Sequence, residues 1–163
     1  MANQDLNLLE AIGIAKAAEE KAEAFYAQAA QETTVVACGL FETLATFEHY
    51  HYEKLQALED SLRQNGAFVE YEGRELVLEA PGEVTSVTVE EAQKMSLMGI
   101  VTTALDVETQ AEKRYLALSE QTEDPAGKAM FTQLAKEEKL HHRVLQHAYW
   151  SLNDRGVWEM PKL

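Results

Sequence analysis

Two short runs in this chain, Glu48-His49-Tyr50-His51 and Glu138-Lys139-Leu140-His141, set a carboxylate and an imidazole three residues apart. On a helix that spacing puts both side chains on one face, about one turn apart, where they can serve the same metal ion. A single run of this kind says little, because Glu and His are ordinary surface residues. The pair is informative because each lies on a stripe that is otherwise apolar. One stripe reads Ala37, Phe41, Leu44, Glu48, His51, Leu55, Leu58, Leu62, and the other Phe131, Leu134, Glu138, His141, Leu145, Ala148, Leu152. Two more stripes are each interrupted by one acid: Leu8, Ile12, Ala15, Glu19, Ala22, Tyr26, Ala29, and Leu97, Val101, Ala104, Glu108, Ala111, Tyr115, Leu118. Steps of three and four residues mark all of them as the inner faces of helices.

A glutamate at a core position needs a compensating charge, and no Lys or Arg occupies the central part of any stripe. Two divalent cations would balance Glu19, Glu48, Glu108 and Glu138, with neutral His51 and His141 completing the ligands. In this reading Glu48 with His51 serves one metal and Glu138 with His141 the other. Glu19 and Glu108 are the expected bridging carboxylates, able to hold ions about 3.5 to 4 Å apart. Mixed carboxylate and imidazole donors suit iron first, with manganese or a mixed pair also accommodated, and suit structural zinc less well. Tyr26 and Tyr115, two turns beyond Glu19 and Glu108, are candidates to hydrogen-bond a ligand carboxylate. Glu137 could bond an imidazole N–H. Glu23, Glu112, His49, His142 and His147 fall off the ligand positions.

The elements that must position these residues are written twice. Glu108 and Tyr115 lie 89 residues after Glu19 and Tyr26, and Glu138 and His141 lie 90 after Glu48 and His51. The chain is therefore expected to be all-α, one domain over residues 1–163, built of two pseudo-symmetric helical hairpins in a four-helix bundle. Gly66 ends the second helix, Thr88-Val89-Glu90-Glu91 has the form of a capping box before the third, and Asp124-Pro125 opens the fourth. Between the second and third helices lies a crossover of about thirty residues containing Gly66, Gly73, Pro81 and Gly82. It is long enough to run roughly 40 Å back along helices of about 28 residues. Phe68–Tyr71 and Glu75–Leu78, flanking Glu72-Gly73-Arg74, suggest a small hairpin or pairing edge there.

Composition removes several functions. A net charge of -14 argues against nucleic acid and anionic membranes as partners. Cys38, the sole cysteine, leaves no thiolate cage for zinc, rubredoxin iron or an iron–sulfur cluster. The polar start from Met1 to Glu10 lacks a basic-then-apolar leader, and no apolar stretch of about 18 residues could span a bilayer, so the expected location is the cytoplasm.

These residues resemble the rubrerythrin and bacterioferritin branches of the ferritin-like superfamily. The likeness rests on Glu19 and Tyr26 seven apart, repeated by Glu108 and Tyr115, and on the paired Glu-x-x-His runs. It implies a di-iron centre that reacts with hydrogen peroxide or dioxygen, and often a homodimer of packed bundles. It also marks departures. No rubredoxin domain accompanies the bundle, which implies an external electron-donor protein. Ala111 stands where rubrerythrins place an additional Glu, giving a site closer to the symmetric bacterioferritin type, while His49 replaces the bacterioferritin haem-binding Met, so haem is not expected. The stretch from Ser151 to Leu163 is short for the fifth helix of a storage shell. Three functions fit: a rubrerythrin-type peroxide or oxygen reductase, which ranks first, an iron-handling or storage protein, and a di-iron oxidase or monooxygenase of an organic substrate.

Overall fold

The computed structural model describes residues 2–33, 35–78 and 86–161. Four helices of 31 residues each, α1 (Ala2–Glu32), α2 (Val35–Asn65), α3 (Glu91–Gln121) and α4 (Pro125–Arg155), are somewhat longer than the stripes alone indicate. Helices α1 and α2 pack as one hairpin and α3 and α4 as the other, with α1 and α3 also in contact, giving the all-α four-helix bundle. None of the described helices is long and apolar enough to cross a membrane.

Local chemistry explains the helix ends. Asp124 caps α4 by accepting hydrogen bonds from Ala126 N–H (2.8 Å) and Gly127 N–H (3.1 Å), and Pro125 follows where its missing N–H is harmless. Gly66 and Gly156 close α2 and α4 in the left-handed region, at φ 64° and 63°. The proposed capping box before α3 does not form. Glu90 is the N-cap and offers no side-chain hydrogen bond, because Thr88 is drawn into an extended segment instead.

That segment, β1 (Ser86–Thr88), pairs antiparallel with β2 (Val157–Glu159), matching Val87 with Trp158. Trp158 is driven fully into the core against Phe41. The described part of the crossover corrects the hairpin expectation, since residues 67–78 form no strand. Pairing would require these residues to satisfy one another, whereas their side chains dock on the bundle. Phe68, Val69 and Tyr71 pack on one core cluster and Leu76 enters the other. Phe68 lies so close over Gly127 that a Cβ there would overlap its ring. Pro81 and Gly82 lie outside the described residues.

Every stripe position predicted to face inward is buried except Leu8 and Leu62, which are half-buried. The apolar residues fall into two clusters. One contains Phe41, Leu44, Ala104, Leu145 and Trp158, and the other contains Ile12, Ala15, Leu55, Leu134 and Met130. Along each helix the acidic position lies between members of the two clusters, as Glu19 does between Ala15 and Ala22 and Glu48 between Leu44 and Leu55. The bundle is thus two oily layers with a polar layer between them.

Candidate metal centre

Glu19, Glu48, His51, Glu108, Glu138 and His141 all enter that polar layer, and none is more than 1% exposed. Their ligand atoms form two groups, Glu19, Glu48, His51 and Glu138, and Glu48, Glu108, Glu138 and His141, each with its atoms within 4.8 Å of one another. Both imidazoles turn Nδ1 inward. His51 Nδ1 lies 3.0 Å from Glu138 Oε1 and 3.6 Å from Glu48 Oε2, and His141 Nδ1 lies 3.1 Å from Glu138 Oε2, 3.4 Å from Glu48 Oε1 and 3.5 Å from Glu108 Oε2.

This arrangement revises the sequence-based roles. Glu48 and Glu138 belong to both groups, while Glu19 and Glu108 each belong to one. The shared carboxylates are therefore those of the Glu-x-x-His runs, and neither run serves a single position alone. The cause lies across the layer. Tyr115 donates its hydroxyl proton to Glu19 Oε1, and Tyr26 donates to Glu108 Oε1. Each tyrosine thus holds the glutamate of the opposite hairpin and keeps that carboxylate to one side.

Without a cation the layer is electrostatically frustrated. Burial, aided by the charges of Glu138 and Glu48, raises the Glu19 carboxyl well above its usual range, and burial with the charge of Glu48 does the same to Glu108. Burial pushes Glu48 and Glu138 in the same direction, but the facing imidazoles outweigh it and both are lowered. Burial alone would lower His51 and His141, yet the carboxylates against them raise both well above the ordinary imidazole value. Burial and the adjacent carboxylates raise Tyr26 and Tyr115, which remain protonated donors.

Glu48 Oε1, Glu108 Oε2, both Glu138 oxygens, His51 Nδ1 and His141 Nδ1 are buried with no hydrogen-bond partner among the described residues. Atoms of this kind cost free energy unless something satisfies them. Their chemistry, oxygen and imidazole nitrogen from four helices, fits two divalent ions of the iron or manganese type.

A family model described as rubrerythrin matches residues 1–59 and 99–159. The chain belongs to the rubrerythrin family. A hypothetical protein from Pyrococcus furiosus has a similar structure, with a TM-score of 0.71 and 25% sequence identity over 94% of this chain and 93% of that one. None of the curated proteins matches the chain in sequence. Rubrerythrin membership and the buried carboxylate and histidine cluster together suit a di-iron site. The interval that the rubrerythrin match skips, residues 60–98, contains the crossover.

Residues set aside in the sequence stay apart from the rubrerythrin centre. His49 is exposed and contacts Glu23 at 3.1 Å, Glu112 and His142 are half-buried, and His147 is exposed. Glu137 is the exception. It accepts a hydrogen bond from His51 Nε2 at 2.8 Å, and also bonds Tyr71 Oη (2.6 Å), Arg74 N–H (2.9 Å) and Gln133 Nε2 (3.0 Å). Burial opposes its ionisation, but those donors prevail and lower its carboxyl. Gln133 could be anticipated from its place one turn before Glu137. Tyr71 and Arg74 could not, because nothing in the crossover's composition says which helix it lies on.

Proposed function

We propose that this protein reduces hydrogen peroxide or dioxygen, using two iron ions held by Glu19, Glu48, His51, Glu108, Glu138 and His141 and electrons from an external donor protein. The observation that carries this reading is the set of buried, unpartnered oxygen and nitrogen atoms converging from four helices in the polar layer. Two bound ferrous ions would supply two electrons, which with two protons take hydrogen peroxide to water or dioxygen to hydrogen peroxide, and the external donor would then return the irons to the ferrous state. The side chains do the rest. Glu48 and Glu138 reach both metal groups and would tie the ions together, while Glu19 and Glu108 are steadied by Tyr115 and Tyr26. Apolar layers on both sides exclude bulk water, so charges within the layer interact strongly.

The reductase reading is favoured over oxidation of a bulky organic substrate by the packing. All six ligand candidates are essentially sealed from solvent, and Phe47 packs against both imidazoles. A centre sealed in this way is easier for a reactant of two heavy atoms to reach than for a bulky organic molecule.

The test is metal analysis of anaerobically reconstituted protein, followed by rapid mixing of the ferrous form with peroxide and, separately, with dioxygen. About two irons per chain and prompt oxidation by at least one oxidant are expected. A ferrous protein that neither oxidant touches would remove the reductase reading.

A further inference from the structure

The duplication that places the ligands breaks down one residue before Glu138. Shifted by the same 90 residues, Glu137 corresponds to Phe47. The two imidazoles therefore have different outer neighbours. His51 gives its outward nitrogen, Nε2, to the Glu137 carboxylate at 2.8 Å. His141 Nε2 is buried with no partner among the described residues, and the Phe47 ring packs nearly perpendicular to the His141 ring, centroids 5.0 Å apart and planes at 85°, with His51 farther off at 6.2 Å.

We propose that the two metal positions are unequal by construction, with Glu137 as a positioning residue that makes the Glu19/His51 position bind its ion more tightly than the Glu108/His141 position. The inference rests on the two-metal reading of the centre, though not on its reaction with peroxide or dioxygen. A carboxylate accepting the outer N–H of a ligating imidazole fixes the tautomer, so that the lone pair of Nδ1 points inward, and it makes that nitrogen a better donor. It also locks the ring orientation. Phe47 offers His141 neither an acceptor nor a fixed tautomer.

Glu137 is itself held from outside the bundle. Tyr71 Oη and Arg74 N–H, both from the crossover, bond its two oxygens, and Gln133 bonds Oε1. The Arg74 guanidinium then lies over the rings of Phe47 and Tyr50, 5.0 and 5.3 Å from their centroids. Gly73 makes the approach possible, because at its φ of 83° a Cβ would sit 2.6 Å from Glu137 Oε1. The crossover thus secures one half of the centre, and it falls in the interval that the rubrerythrin match skips.

The experiment is anaerobic titration of the metal-free full chain with Co2+, followed by ligand-field absorption and by proton NMR of the hyperfine-shifted imidazole N–H signals. Two binding steps are expected, the first about tenfold or more tighter, with a slowly exchanging imidazole N–H appearing at the first equivalent. Glu19→Ala should abolish the tight step and Glu108→Ala the weak one. Glu137→Leu should weaken the first step about 10- to 100-fold, leave the second in place, and erase the slowly exchanging signal. Glu137→Gln, whose amide oxygen can accept the same N–H, should restore most of the difference. Should Glu137→Leu fail to fold, Gly73→Ala displaces the carboxylate through the crossover and should narrow the gap between steps. Two equal steps in the unaltered protein, or an equal loss at both steps in Glu137→Leu, would overturn the proposal while leaving the two-metal centre standing. Failure to bind Co2+ at all would overturn both.

Discussion

Helices α2 and α4 each contribute a glutamate that reaches both halves of the centre, whereas α1 and α3 each contribute one that reaches a single half. All four glutamates sit at equivalent depth, at most 1% exposed, so burial does not distinguish them. The difference comes from what faces them. A buried tyrosine from the opposite hairpin holds Glu19 and Glu108, whereas Glu48 and Glu138 have no tyrosine partner and lie against both imidazoles. Duplication of the sequence fixes which residue types enter the layer, and packing across the pseudo-symmetry axis decides the part each one plays.

The strongest way to break this comparison is to remove one acid of each kind. Glu138→Ala takes ligand atoms from both groups and should leave the protein with almost no bound iron or cobalt. Glu108→Ala takes them from one and should leave about one ion per chain. Metal analysis after equilibrium dialysis reads the difference directly. Equal stoichiometry in the two variants would mean that the shared and single roles are misassigned.

Protonation sharpens the same contrast with a smaller effect. In the metal-free protein the raised groups are Glu19, Glu108 and the two imidazoles, while Glu48 and Glu138 are lowered. The raised groups keep their protons to higher pH than they would in water, and the lowered ones give them up more readily. An ion entering either position must displace the protons that the raised carboxyl and imidazole there retain. Protons compete with the metal, so affinity should climb as pH rises and fall as it drops, by up to about tenfold per pH unit for each proton displaced. Calorimetric titration in buffers of different ionisation enthalpy counts those protons. Uptake without proton release would show that the carboxyls and imidazoles are already deprotonated, so that burial and neighbouring charges do not raise them.

The four stripes were legible because a helix buries one face, and spacings of three and four declare which face that is. Residues such as Ile12, Phe41, Val101 and Leu145 follow from periodicity alone. So does the gathering of Glu19, Glu48, His51, Glu108, Glu138 and His141, since acids and imidazoles on inner faces have only one another to meet. What periodicity cannot carry is reach across the bundle. Tyr26 is seven residues from Glu19 but bonds Glu108, 82 residues away, because its ring extends over the polar layer rather than along its own helix. The crossover's local pattern misleads for a related reason. The alternation around Glu72-Gly73-Arg74 resembles a hairpin, but its positive-φ glycine serves to bring the backbone against Glu137. The strand pairing that does form joins Ser86–Thr88 to Val157–Glu159, segments too short and too distant for a local pattern to link.

The smallest contrast lies at the helix starts of the second hairpin. Both α3 and α4 begin after an acidic residue in extended conformation, Glu90 and Asp124. Asp124 has the short side chain that can fold back onto Ala126 and Gly127 N–H, whereas the longer Glu90 makes no such bond. Asp124→Ala should therefore cost about 1 kcal/mol of stability, and Glu90→Ala close to nothing, as read from denaturant unfolding of the metal-free protein. Working without metal matters, because bound ions stabilise whatever fold presents their ligands and would mask a difference this small. If the two substitutions cost the same, the start of α3 is being held by something other than its cap. The pairing of β1 with β2, anchored by Val89 N–H donating to the Gly156 carbonyl at 3.0 Å, is the feature placed to do so.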